Sequence, residues 1–354
     1  MVKVLIVDDS AFMRNALSTM LSSDHEISII GTARDGMEAI EKVKSLKPDI
    51  VTMDVEMPRM DGIAALKNIM ETSPLPVIMV SSLTTEGAKV TLDALDLGAV
   101  DFIPKNLSDL SINIVKLKEI LIEKVKHLGR KGIPGRATRA IPKVSDRPRT
   151  AEVSQPVQVR TTGERRISIV SIGTSTGGPR ALQEIIPRLP KDFPVPVVVA
   201  QHMPANFTGP FAERLNQLSQ ITVKEAEDGE PLKAGVAFIA PGSGHMRVAR
   251  RRGIETVISV SEEKEEFIYR PSVDALMSSV AEYFPGRSLG VILTGMGNDG
   301  LKGLTALKKT GGRIFAQNEE SCVVYGMPKA VVDAGIADKI LSVEEMAGEI
   351  INAV

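Results

Sequence analysis

Short apolar runs that break off at polar residues and alternate with helix-period segments constrain this chain more than any other feature. That alternation is what a parallel sheet with helices on both faces requires. In the first part the runs are Val2 to Val7, Ile27 to Thr32, Ile50 to Met53, Pro76 to Val80 and Val100 to Ile103, with helical stretches such as Ser10 to Ser22 and Ile112 to His127 following them. The pattern resumes at Ile167 to Ile172 and continues through Val197 to Ala200, Val236 to Ala240 and Val291 to Thr294. Between the two series, from Lys131 to Arg166, Pro134, Pro142, Pro148 and Pro156 interrupt Gly, Thr, Arg and Ser without apolar periodicity, so nothing there can bury a face. The spacing predicts an α/β protein of two doubly wound parallel-sheet domains, 1–128 and 167–354, joined by a flexible linker over 129–166. A length of 354 residues agrees, at about 150 residues per domain.

Composition removes several function classes. The single cysteine, Cys322, excludes an internal disulfide and the thiolate clusters of zinc and iron-sulfur sites. No apolar run approaches the roughly 18 residues of a membrane span, and the first stops at Asp8 and Asp9. The net charge is −4 over 1–130, +6 over 131–166 and −3 over 167–354, with 3% aromatic residues and no Trp. Neither folded part offers a phosphate-neutralising surface or stacking platforms, so nucleic acid is not an expected partner. The chain reads as a cytoplasmic protein without membrane insertion or a secretory signal.

Ligands of doubly wound sheets bind beyond the carboxyl ends of the strands. In the first domain those positions hold Asp8 and Asp9, Asp54, Ser81 and Lys105. Three carboxylates on one rim repel unless a cation offsets them, and an acidic oxygen-lined pocket suits Mg²⁺. One carboxylate can accept a phosphoryl group while lysine and a hydroxyl engage the product. The structural alternative is that the three aspartates are helix N-caps. At these residues, over essentially all of 1–128, the chain resembles the receiver domain of two-component response regulators. The resemblance implies a flavodoxin-like fold, Asp54 as phosphoacceptor, and Mg²⁺ held by Asp8, Asp9, Asp54 and the Glu56 carbonyl. It also implies Ser81, Phe102 and Lys105 as the switch residues. The family places proline after its lysine, whereas here Pro104 precedes Lys105 and Asn106 follows it.

The second domain carries different chemistry at its strand ends. Gly173-Thr174-Ser175-Thr176-Gly177 reads G-x-S-x-G at a strand-to-helix turn, where glycines allow a tight backbone that exposes a serine hydroxyl. The alternative is a phosphate-binding or merely flexible turn with Pro179 at the start of a helix. A serine nucleophile needs a base. His25 and His127 lie in the first domain, leaving His202 and His245, both past strand ends and not separated by position. Asp299, past Val291 to Thr294, could orient the imidazole or cap the helix from Leu301. Gly295 to Gly300 also reads G-x-G-x-x-G with Glu319 beyond it, a dinucleotide fingerprint. Asp299 would, however, set a carboxylate where the pyrophosphate should sit.

Ser175 in its turn, Gln201-His202-Met203-Pro204, Ala240-Pro241-Gly242 with His245, Thr294 to Gly300, and Val324-Tyr325-Gly326-Met327-Pro328 occur in that order. Together they resemble the catalytic domain of the chemotaxis protein-glutamate methylesterases, the CheB family. The resemblance implies a Rossmann-like serine hydrolase domain with Ser175 as nucleophile, His202 as base, Asp299 as orienting acid and the Met296 N–H as an oxyanion donor. It implies a phosphorylation-gated enzyme that demethylates glutamates, and deamidates glutamines, of chemotaxis receptors. A chemotaxis histidine kinase would donate the phosphoryl group, Mg²⁺ would serve the receiver, and ester hydrolysis would use no cofactor. The competing classes are a response regulator whose output domain only binds a partner, and a dinucleotide-dependent oxidoreductase.

Overall fold

The structure, a computed structural model, describes residues 1–105, 114–131, 166–251, 255–262 and 269–354. The expected linker therefore lies outside the described residues except at its two ends.

In the first unit, strands β1 (Val2–Val7), β2 (Ile27–Ala33), β3 (Ile50–Asp54), β4 (Val77–Ser81) and β5 (Asp101–Pro104) alternate with helices α1 (Ala11–Leu21), α2 (Gly36–Leu46), α3 (Gly62–Thr72), α4 (Thr85–Leu97) and α5 (Ile114–Lys131). The sheet is parallel in the order β2-β1-β3-β4-β5. The chain turns to opposite sides after β1, so a crevice opens between the ends of β1 and β3, where Asp8, Asp9 and Asp54 stand. Helix starts are fixed by other residues: Ser10, Asp35, Asp61 and Thr84 accept the N–H groups of Met13, Glu38, Ala64 and Gly87. None of the three rim aspartates is a helix N-cap, which removes that alternative. Helix α5 reaches Lys131, past the expected boundary at 128.

The second unit comprises β6 (Ile169–Thr174), α6 (Gly178–Ile185), β7 (Val197–Gln201), α7 (Ala205–Leu218), β8 (Thr222–Glu225), β9 (Val236–Ile239), β10 (His245–Arg250), β11 (Thr256–Ser261), α8 (Val273–Tyr283), β12 (Ser288–Ile292), α9 (Leu301–Lys309), β13 (Arg313–Gln317), α10 (Met327–Asp333), β14 (Lys339–Leu341) and α11 (Val343–Ala353). Seven parallel strands run in the order β14-β13-β12-β6-β7-β9-β8. The chain starts at the centre, builds outward through β7, then crosses to β12, so direction reverses beside β6. Strands β6, β7 and β12 are buried throughout, which explains their unbroken apolar runs. The antiparallel hairpin β10–β11 is an addition that the alternation did not disclose.

Close packing requires glycine in the turn after β6. Gly177 has φ of +77°, and a Cβ there would lie 2.6 Å from the Val323 side chain. At Gly178 a Cβ would lie 2.0 Å from Gln201 Oε1. Among the described residues no helix is long and apolar enough to cross a membrane.

Candidate functional site

The acidic rim of the first unit is assembled as expected. Carboxylate oxygens of Asp8, Asp9 and Asp54 lie within 4.8 Å of one another. Lys105 Nζ sits among them, 2.6 Å from Asp54 Oδ2, 3.6 Å from Asp8 Oδ2 and 3.9 Å from Asp9 Oδ1. Glu56 N–H donates to Asp54 Oδ1 at 3.3 Å, which sets the Glu56 backbone beside the cluster. Burial, and secondarily the Asp8 charge, push the Asp54 carboxyl up to about 6 despite the lysine hydrogen bond. Burial likewise raises the Asp8 carboxyl, and Asp8 Oδ2 is buried without a hydrogen bond. A short-handed cluster of hard oxygens fits Mg²⁺, which when bound offsets the negative charge around an entering phosphoryl group.

A pH-dependent consequence follows. With its folded pKa raised, Asp54 favours folding while protonated. That advantage is complete below the ordinary carboxyl value near 3.8 and is lost as pH rises through about 6. Mg²⁺ needs the ionised carboxylates, so it should restore the stability lost above that window. At about ten times its Kd, Mg²⁺ should raise the melting temperature of the receiver transition by about 2–6 °C at pH 7.5. At the same Mg²⁺ concentration the shift should fall below about 2 °C at pH 5, where only about a tenth of Asp54 is ionised, and calorimetry with and without Mg²⁺ at the two pH values checks this.

Of the three residues expected to act as the switch, Lys105 contacts Asp54, Ser81 turns to α4 of its own unit, and only Phe102 meets the second unit. The Ser81 hydroxyl accepts from Thr91 Oγ1 at 2.7 Å and lies 3.3 Å from the Gly87 carbonyl, so it is engaged with α4. Phe102 is buried and stacks on Phe207 of α7, with centroids 4.5 Å apart and planes 12° from parallel. Beside it, Asp101 Oδ2 accepts from Thr176 Oγ1 at 2.7 Å and pairs with Lys124 Nζ at 2.6 Å. Arg214 of α7 reaches Asp93 at 2.6 Å and also Asp96, both on α4. Met296 and Val324 belong to the same apolar cluster as Leu121 and Val125 of α5. The receiver thus docks on the residues flanking Ser175, a contact for which the sequence carries no periodic signal.

Ser175, His202 and Asp299 follow β6, β7 and β12, three neighbours in the sheet, and so share one rim. Backbone bonds lock it: Ser175 N–H donates to the Thr294 carbonyl and His202 N–H to the Thr174 carbonyl, each at 3.1 Å. His202 Nε2 lies 2.7 Å from Asp299 Oδ2. The same carboxylate accepts Ser272 Oγ at 3.2 Å and the N–H groups of Val273 at 2.8 Å and Asp274 at 2.9 Å. Burial would raise this carboxyl, but His202 and the N–H groups at the start of α8 outweigh it and hold it below the ordinary value. An ionised Asp299 is therefore maintained beside the imidazole. His202 Nδ1, left over by that pairing, is buried without a partner, and no hydrogen bond joins it to Ser175 among the described residues. The Met296 N–H donates to no acceptor among the described residues.

The remaining sequence alternatives separate here. His245 is fully buried, and its Nδ1 accepts the Ser272 N–H at 3.1 Å, so it braces the start of α8 behind Asp299. Asp299 caps α8 rather than α9, while Asp274 Oδ1 accepts Gly300 N–H at 3.0 Å and Gly303 N–H at 2.8 Å at the start of α9. A carboxylate thus fills the helix start that a pyrophosphate would need, which removes the dinucleotide reading of Gly295 to Gly300.

A family model for the CheB methylesterase matches residues 170–350, and one for the response regulator receiver domain matches residues 4–114. The chain is 53% identical over 368 residues to the protein-glutamate methylesterase/protein-glutamine glutaminase 1 of Oleidesulfovibrio alaskensis, covering 100% of both chains. It is 46% identical over 356 residues to the protein-glutamate methylesterase/protein-glutamine glutaminase of Bacillus licheniformis, covering 99% of this chain and 98% of that one. Among solved structures it resembles the Thermotoga maritima CheB methylesterase catalytic domain, at 45% identity and a TM-score of 0.52, over 54% of this chain and 100% of that one.

Proposed function

Because the chain belongs to the CheB methylesterase family, with a receiver domain ahead of the catalytic one, we propose that Ser175, His202 and Asp299 hydrolyse glutamate methyl esters under control of Asp54. The activity is that of a protein-glutamate methylesterase and protein-glutamine glutaminase. The observation that carries the residue assignment is the His202–Asp299 pair on the strand-end rim that also bears Ser175.

In this reading Ser175 Oγ attacks the ester carbonyl of a methylated glutamate on a chemotaxis receptor. His202 takes the serine proton at Nδ1, since Nε2 is committed to Asp299, and returns it to the leaving methanol. Asp299 stays ionised and steadies the imidazolium. The Met296 N–H stabilises the oxyanion. Water, activated by the same imidazole, then cleaves the acyl-enzyme to give glutamate, and a glutamine side chain releases ammonia by the same steps.

Asp54 would take the phosphoryl group from a chemotaxis histidine kinase, with Asp8, Asp9, Asp54 and the Glu56 carbonyl holding Mg²⁺. A phosphoryl group on Asp54 shifts Lys105, already 2.6 Å from that carboxylate, onto its own oxygens and draws Ser81 off α4 toward it. Both adjoin elements that touch the catalytic unit: Lys105 follows β5, which carries Asp101 and Phe102, and Ser81 bonds α4. Their movement loosens the docked face and uncovers Ser175. We divide the chain into a receiver, expected over 1–128 and extended by α5 to Lys131, a linker from there to 166 and a catalytic domain over 167–354, acting in the cytoplasm. Methanol release from methylated receptors, with and without a small phosphodonor plus Mg²⁺, tests this reading. Release that rises severalfold supports it, and an unchanged rate contradicts the gating.

A further inference from the structure

The imidazole of His202 is held at two places, and only one of them is Asp299. The Tyr269 ring lies against its face, with centroids 4.5 Å apart and planes 8° from parallel. The edge contact alone leaves a soft coordinate. In any histidine, Nε2 lies nearer the extended Cβ–Cγ axis than Nδ1 does, so a hydrogen bond at Nε2 resists rotation about that axis weakly. The histidine χ2 well is itself broad. Rotation swings Nδ1, the atom that has to meet Ser175 and that is otherwise unpartnered. A parallel ring at van der Waals distance blocks that rotation, because turning either plane drives atoms together.

Resting on the reading of His202 as the base, we infer that Tyr269 is a positioning residue: its ring fixes the plane of the imidazole so that Nδ1 faces Ser175. The surroundings are built to keep the ring there. Gly297, at φ of +81°, approaches so closely that a Cβ would lie 3.3 Å from the Tyr269 hydroxyl. The tyrosine is half-buried, and burial, with the charges of Glu123 on α5 and Asp299, holds its phenol above the ordinary value, so it remains neutral. The ring face also favours the cationic imidazole that exists only after proton transfer. The contribution therefore falls on turnover rather than on substrate binding.

The experiment is methanol release by the full-length, phosphodonor-activated chain. Tyr269→Leu should lower kcat by about 10- to 100-fold with KM within about twofold, because misplacement of a catalytic atom is costly. Tyr269→Phe, which keeps the plane, should restore kcat to within about threefold of the parent. If leucine unfolds the catalytic unit, Tyr269→Met, apolar and without a plane, takes its place with the same expected loss. In a His202→Gln background the leucine change should lower kcat no further, since Tyr269 acts through that ring. Near-parent turnover in Tyr269→Leu, equal losses in the leucine and phenylalanine variants, or a further loss in the His202→Gln background would overturn the inference. Near-parent turnover in His202→Gln alone would instead overturn the reading of the base.

Discussion

Replacing Ser175 by alanine should lower methyl-ester hydrolysis by about 10³-fold or more, with receiver phosphorylation and the melting profile unchanged. The substitution removes one oxygen from a half-buried side chain whose hydroxyl is not part of the bonding that locks the rim. The turn is held by backbone groups, by Gly177 at positive φ and by the Gln201 amide, which donates to the Ser175 carbonyl at 3.0 Å. None of these depends on the hydroxyl. Methanol release and circular dichroism check the two halves, and turnover near the parent rate would remove Ser175 from the mechanism.

The second large effect separates the two histidines. His202→Gln should cost about as much turnover as losing Ser175, because members of a triad act as a unit. Glutamine can still hydrogen bond Asp299, so the rim should stay folded while proton transfer stops. His245→Gln should behave in the opposite way. Its imidazole is sealed in the interior and receives the Ser272 N–H, so the variant should lose about 1–3 kcal/mol of stability and keep kcat within about tenfold. Thermal melts beside methanol-release rates distinguish the pair. Severe loss in His245→Gln at unchanged stability would give the base role to that residue.

The parts of the molecule that follow from periodicity were legible before the fold was known. Strand ends alone pointed to Asp8, Asp9, Asp54, Ser81, Lys105, Ser175, His202 and Asp299, because a doubly wound sheet gathers the residues past its carboxyl ends. Position past a strand end does not separate His202 from His245, and only the fold shows their different surroundings, His202 paired with Asp299 and His245 fully buried against the Ser272 N–H. The exchanged caps, Asp299 at α8 and Asp274 at α9, were hidden for a similar reason. A helix-capping aspartate is expected to precede its own helix, and Asp299 caps one that ends before it. Tyr269 had no signal either, lying in a segment without alternation, and its importance comes only from the ring it faces. The docking of the receiver was least legible. Thr176 and Asp101, or Phe102 and Phe207, are surface matches between separate sheets, and hydrophobic patterning records which face is buried without recording against what.

Control of Ser175 by the docked receiver is tested most directly by the methanol-release rate of full-length Asp54→Asn, supplied with phosphodonor and Mg²⁺, before and after adding Arg214→Glu. The second change removes two contacts to α4 and sets a carboxylate against Asp93 and Asp96. It should weaken docking by about 1–2 kcal/mol and raise the undocked population about 5- to 30-fold. Occlusion predicts that Asp54→Asn stays at the unphosphorylated rate and that the double variant rises about fivefold or more without any phosphoryl group. A double variant that remains at the unphosphorylated rate, or an Asp54→Asn chain that phosphodonor still activates, would contradict it.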